Sequence, residues 1–220
     1  MEIRLQELSN ETRMEGVRLL PQDCQGATAP KLKTLTKRGA VAKYEVRIGR
    51  FEVDVLVLHL KQQASKVAKH SIRTGTFGCV FKSKAGDAEW VVKRINFQLN
   101  VKYVQNLRML PQSDTLEWAI TEYAFCRVCS MLGIGPKMRV CDGFDITCFE
   151  DCLEFTMELC KPLSSLQCQA EESEMRLKYC VRLMHSLNLI HKDIKPSNIM
   201  YSPSSRDLVL IDFGISEVVK

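Results

Sequence analysis

The sequence predicts an α+β fold, a strand-rich N-terminal part followed by a smaller helical part. Three observations predict it. Residues 44–48 (Tyr-Glu-Val-Arg-Ile) and 51–55 (Phe-Glu-Val-Asp-Val) alternate apolar and polar around Gly49, the period of a half-buried hairpin. Residues 66–95 hold three short β-type runs around Gly75 and Gly78. Residues 172–189 instead space their apolar side chains at Leu177, Cys180, Val181, Met184 and Leu187, a helical stripe.

In chain order, residues 1–20 are expected to form a short amphipathic helix from Ile3, Leu5, Leu8, Val17, Leu19 and Leu20, stopped by Pro21. Residues 22–37 read as linker, and residues 44–55 as the hairpin. One strand then runs into the glycine pair, residues 79–83 leave it, and residues 89–95 form a third. Asp114-Thr115-Leu116-Glu117 reads as a helix start, with a capping acid and a second acid three residues on. That helix runs to Leu132, where Gly133 and Gly135-Pro136 end it. Strands are expected at 138–141 and 155–159, the striped helix at 172–189, and a strand pair at 199–201 and 208–211. The chain has no internal repeat and no low-complexity tract.

A chain of 220 residues, 45% hydrophobic and 26% charged, is long enough to bury a core in one or two domains. No run reaches the length of a membrane span; the most apolar, residues 51–60, contains Glu52 and Asp54. The N-terminus, Met1-Glu2-Ile3-Arg4, has no apolar signal core. The expected location is therefore intracellular, cytoplasmic or nuclear, with the ten cysteines as reduced thiols. Cys126-x-x-Cys129 and Cys148-x-x-x-Cys152 admit a zinc reading, but no further ligand cluster supports it, and small buried thiols are the better account.

The net charge of +5 is local: residues 31–50 carry seven basic side chains against Glu45 alone. Such a segment attracts acidic partners, nucleic acid or anionic lipid. Only Tyr44 and Phe51 lie near it, short of the aromatic platform of a single-strand binder. A solvated basic linker is preferred, and nucleic acid is not the expected partner.

The chemistry is concentrated further on. Ile72-Arg73-Thr74-Gly75-Thr76-Phe77-Gly78-Cys79-Val80 has the form of a phosphate loop, because two glycines let backbone N–H groups approach phosphate oxygens. Trp90-Val91-Val92-Lys93 brings a lysine on a strand after it. His191-Lys192-Asp193-Ile194-Lys195-Pro196-Ser197-Asn198 places an acid, a cation and an amide in one tight loop. Ile211-Asp212-Phe213-Gly214 follows across the strand pair. In this order and spacing the four motifs resemble the catalytic apparatus of eukaryotic-type protein kinases, over residues 66–215. The boundaries implied are an N-terminal extension at 1–65, a kinase-like N-lobe and hinge at 66–160, and a partial C-lobe at 161–220. The cysteine pairs then fall on a helix and on a hairpin.

The resemblance implies ATP and Mg²⁺ as cofactors. Gly75 and Gly78 would cover the phosphates. Lys93 would pair with them, oriented by Glu122, which stands ten residues before Leu132; Glu117 is the alternative, or else a capping acid. Val80 and Val91 would roof the adenine slot and Met200 would floor it. Met157 would guard its back, with Glu158 to Cys160 as the hinge. Asp193 would accept or orient the proton of the attacking hydroxyl, Lys195 would face the γ-phosphate, and Asn198 and Asp212 would hold the metal. His191 is expected to be structural, stacked with Phe213 and Cys126. Lys195 resembles the serine/threonine-directed members of the family.

Two departures stand out. Arg73 takes the place of the first glycine, which implies a stiffer loop and weaker nucleotide affinity. Lys192 replaces the usual arginine after the histidine and loses its bidentate grip on phosphate. The chain also stops at Lys220, six residues past Gly214, so the expected lower lobe is incomplete and phosphoryl transfer to a serine or threonine of a protein substrate is expected to be weak. Three accounts follow: a truncated kinase that keeps nucleotide binding, a compact kinase in which residues 1–65 replace missing packing, or a non-catalytic interaction module that binds nucleotide or a partner kinase.

Overall fold

The computed structural model describes residues 16–21, 28–35, 40–64, 71–75, 78–83, 89–97, 115–163 and 170–219. Most of their strands join one twisted sheet. Its order is β2 (Thr28–Leu35), β3 (Val41–Ile48), β4 (Phe51–His59), β9 (Ile146–Cys148), β10 (Cys152–Glu158), β7 (Trp90–Asn96), β6 (Gly78–Lys82) and β5 (Ser71–Gly75). Two short strands, β1 (Val17–Leu19) and β8 (Met138–Arg139), attach to β4 and β10. Two long helices lie among the described residues, α1 (Thr115–Met131) and α2 (Ala170–Ser186). After α2 come β12 (Leu189–Ile190), a single 3-10 turn (Pro196–Asn198), β13 (Ile199–Ser202), β14 (Asp207–Leu210) and β15 (Glu217–Val218). β11 (Lys161–Pro162) joins β13 and β14 in a small second sheet.

The hairpin turns at Gly49, whose φ of 59° favours glycine. A Cβ there would also lie 3.1 Å from the Leu187 carbonyl oxygen, so the turn is seated against the end of α2. Period-two alternation puts Val46, Ile48, Phe51, Val53, Val55 and Val57 on one face, all buried. That face packs on α1. The other face carries the charged side chains, with Lys43 paired to Asp54 at 2.8 Å and Lys33 to Glu45 at 3.0 Å, cross-strand pairs of the kind that stabilise sheets. The hairpin then joins the rest of the sheet through a parallel pairing of β4 with β9, Val57 opposite Ile146.

Two expectations are corrected. Val17–Leu19, assigned to an amphipathic helix, is a strand paired with Phe51 to Val53; residues 1–15 of that assignment lie outside the described residues. Residues 28–35, assigned to a linker, form the strand β2 against β3. The reason is register. Once β3 and β4 pair, β3 presents an open edge, and the basic residues Lys31 and Lys33 can stay exposed on a strand added there. The capping Asp114 and the loop tip Thr76-Phe77 also lie outside the described residues. No described helix is long and apolar enough to cross a membrane.

Candidate functional site

The site lies where the sheet, α1 and the β12–β14 region meet. Lys93 occupies the middle of β7, opposite Val80 on one side and Phe155 on the other. Its ammonium contacts Glu122 Oε1 and donates to Asp212 Oδ1 at 2.8 Å. Glu122 is on the buried face of α1, and Glu117 is not brought to the lysine in these contacts. Burial pulls the Lys93 ammonium downward, but Glu122 and Asp212 together raise it above its ordinary value. Burial raises Glu122 against the pull of Lys93. Burial also pushes Asp212 upward, but Lys93, with Arg73 and Lys195, outweighs it and holds that carboxyl below its usual range. The three groups thus form a chain of charge linking strand, helix and loop.

Gly214 and Trp118 secure this chain. The Trp118 indole N–H donates to the Gly214 carbonyl at 2.7 Å. A Cβ at Gly214 would meet both Glu122 Oε2 and the Trp118 ring at 3.2 Å, so any side chain there would press on both. Trp118 was missed in the sequence; its signal is the four-residue spacing to Glu122, which places both on one helix face.

The loop after β12 is built around His191. Its Nδ1 accepts from the Asp193 N–H at 3.3 Å, which leaves the proton on Nε2 to donate to the Ile211 carbonyl at 3.0 Å. Burial holds the ring below its ordinary pKa, and its centroid lies 4.9 Å from that of Phe213. With both nitrogens engaged on backbone, this buried ring is a scaffold and not a proton carrier. Asp193 Oδ2 accepts from Lys195 Nζ at 2.6 Å and from Asn198 Nδ2 at 2.8 Å. Asn198 is fully buried and its amide also donates to the Asp193 carbonyl at 3.0 Å. Asp212 sits at φ 69°, a left-handed conformation unusual for a non-glycine residue.

Of the remaining predicted residues, Val91 is buried opposite Met157, and Met200 is half-buried on β13 opposite Pro162. Glu158 ends β10, and Cys160 follows before β11. The Glu158 carboxylate turns away toward the β13–β14 turn, accepting from Ser202 Oγ at 2.8 Å and from the Ser204 N–H at 2.6 Å. Its carbonyl accepts from the Cys160 N–H at 3.1 Å. Gly75 and Gly78 face each other across β5 and β6. A Cβ at Gly78 would come within 1.8 Å of the Arg94 carbonyl oxygen, so this glycine has a packing reason independent of any ligand.

Asn198 and Asp212 offer an amide and a carboxylate oxygen, hard donors of the kind magnesium takes. The described residues contain no cluster of three or more His, Cys, Asp or Glu that would hold a metal by itself. This donor set fits an ion completed by phosphate oxygens and water. The residue whose position sequence reasoning did not anticipate is Arg73. Its guanidinium crosses from β5 to donate to the Ser197 carbonyl at 2.8 Å and to Asn198 Oδ1 at 3.2 Å.

A protein kinase domain family model matches residues 67–220. Among curated proteins, a probable casein kinase II subunit alpha homolog of Encephalitozoon cuniculi is 31% identical over 74 residues, 34% of this chain and 18% of the relative. Casein kinase II subunit alpha' of Saccharomyces cerevisiae is 46% identical over 41 residues, 19% of this chain and 11% of the relative. The non-specific serine/threonine protein kinase Cdc7 of Drosophila melanogaster is 40% identical over 43 residues, 20% of this chain and 6% of the relative. The chain thus spans 18% or less of these relatives. Because the family match covers well over half of its length, the chain belongs to the protein kinase domain family.

Proposed function

We propose that this chain binds ATP with Mg²⁺ and transfers the γ-phosphate to a serine or threonine hydroxyl of a protein. The observation that carries the proposal is the Glu122–Lys93–Asp212 chain, which ties strand, helix and loop into one charged site, joined to the Asp193 loop through His191 and Ile211. Lys93 is the cation for the α- and β-phosphates, and Glu122 fixes its direction. Gly75 and Gly78 bring backbone N–H groups over the phosphates, and Val80, Val91, Met157 and Met200 enclose the base, with Glu158 and Cys160 at its edge. Asn198 and Asp212 supply the metal oxygens; magnesium, when bound, offsets charge on the phosphate oxygens.

Asp193 orients the attacking hydroxyl and accepts its proton. Lys195, already on the Asp193 carboxylate, is near enough to counter charge developing on the γ-phosphate. The serine/threonine preference rests on Lys195 and on the printed names of the relatives.

The test is a thermal melt. ATP with Mg²⁺ at about a hundred times its dissociation constant should stabilise the fold by roughly 2.7 kcal/mol, a rise of several degrees for a chain of this size. Asp212→Asn should remove most of that rise. A folded sample that shows no rise at millimolar ATP would defeat the proposal.

A further inference from the structure

Arg73 stands on β5, opposite Val80 of β6, at the position where the glycine pattern lacks a side chain. It reaches across the cleft to the lower loop with two donors. One goes to the Ser197 carbonyl at 2.8 Å and one to Asn198 Oδ1 at 3.2 Å.

The acceptor is not free to turn away. Asn198 is fully buried, and its Nδ2 is bound twice, by the Asp193 carbonyl at 3.0 Å and by Asp193 Oδ2 at 2.8 Å. A flip of the amide would lose both bonds and set its oxygen against a carboxylate. Oδ1 is therefore fixed toward the cleft, where a cation is wanted, and the cation found there is the guanidinium.

A metal ion and a guanidinium on one amide oxygen repel each other strongly at so short a distance. The guanidinium has five N–H donors in a planar fork, and the two bonds above leave others for phosphate oxygens, which it pairs with in bidentate fashion.

We propose that Arg73 is a built-in cation of the triphosphate site. It holds the Asn198 oxygen in place of a second metal ion and binds the phosphates of a nucleoside triphosphate, so that a single ion, at Asp212, completes the site. This rests on the nucleotide reading above with one change: Asn198, held by Arg73, leaves the metal's donor set, and Asp212 holds the ion. It reverses the sequence expectation that Arg73 weakens nucleotide affinity.

The experiment counts metal ions and measures nucleotide affinity in the full chain, with Mn²⁺ and a non-hydrolysable ATP analogue (the β,γ-imido form) as probes. Electron paramagnetic resonance of free Mn²⁺ gives the number of ions bound with saturating analogue. The parent chain should bind one. Arg73→Ala should bind two, the number that the Asp and the Asn hold in kinases generally, and should bind the analogue about tenfold or more weakly when Mn²⁺ is limiting. Arg73→Lys, which keeps the charge and loses the fork, should still bind one ion, with intermediate affinity. Arg73→Gln serves as a second neutral variant should Arg73→Ala melt early. Two ions in the parent chain, or unchanged or tighter analogue binding in the neutral variants, overturns the proposal while leaving the nucleotide reading intact. No analogue binding by the folded parent chain overturns the nucleotide reading, and this proposal with it.

Discussion

Helices α1 and α2 are both 17 residues long, yet they are held in different ways. α2 buries one stripe, Cys180, Leu183 and Met184, continued by Leu187 just past its end, on β12 and β14. Its other face is solvated, with Glu174 paired to Lys178 at 2.6 Å and Met175 exposed at 64%. From Ala119 to Cys129, by contrast, α1 is buried except at Thr121. It packs on β8 and β10 and also on β2, β3 and β4. Tyr123 donates to Asp145 Oδ1 at 2.6 Å, and Asp145 Oδ2 accepts from the Leu56 N–H at 2.8 Å, so one carboxylate joins the helix to the hairpin. The helix that carries Glu122 is thus covered by the residue 16–64 region as well as by the kinase-type strands. The geometry at Lys93 depends on sheet packing well before the glycine loop in sequence.

The sharpest way to break this contrast is at the hairpin. Phe51, 1% exposed on the hairpin face that packs on α1, should cost about 3–5 kcal/mol as Phe51→Ala. If α1 is held by the hairpin, the same variant should also weaken ATP binding, measured by titration below its melting temperature. Glu122→Gln comes next. Asp212 still holds the Lys93 ammonium at 2.8 Å, so the loss should fall below the about 3–5 kcal/mol of a buried pair broken outright. The ATP dissociation constant should nonetheless rise clearly. Glu117→Gln, at the first turn of α1, should leave it near the parent value; the reverse ranking would mean that Glu117 serves the site.

Smaller effects are expected at the contacts on either side of this core. Tyr123→Phe leaves the Asp145 oxygen without its hydroxyl partner and should cost about 1–3 kcal/mol by chemical denaturation. On the α2 side, Met175→Ala should stay within about 0.5 kcal/mol. His191 adds a pH dependence. Burial holds its folded-state pKa below the ordinary value, so the unfolded chain takes up the proton first as pH falls. Its contribution is full above about pH 6.5 and is lost as pH drops through the folded value. His191→Asn should flatten the fall in melting temperature across that window, and a slope unchanged in the variant would place the titration elsewhere.

The same contrast explains what could be read in the sequence. α2 was legible because a half-exposed helix leaves an apolar stripe. α1 leaves none, being apolar nearly all round, and was found only from its capping acid and the glycines after Leu132. Gly75, Gly78, Lys93, Asp193, Asn198 and Asp212 were legible as spaced motifs, and counting back from Leu132 distinguished Glu122 from Glu117. The sheet extension was not legible, because its pairing partners are distant: Val57 meets Ile146. β2 was hidden by its composition, since Pro30 and its lysines read as linker although both are tolerated on an edge strand. Arg73 was visible as a departure from a pattern, but its reach to Asn198 depends on how the two sides of the cleft close.

The proposed activity is phosphoryl transfer centred on Asp193. It is tested most directly by following ³²P from the γ-position of ATP into a generic serine- and threonine-containing protein substrate, with the parent chain and Asp193→Asn compared at equal nucleotide occupancy. The parent chain should incorporate label as phosphoserine or phosphothreonine, and Asp193→Asn should lose nearly all of it. Incorporation undiminished in Asp193→Asn, or none from a parent chain that binds ATP, would contradict the proposal.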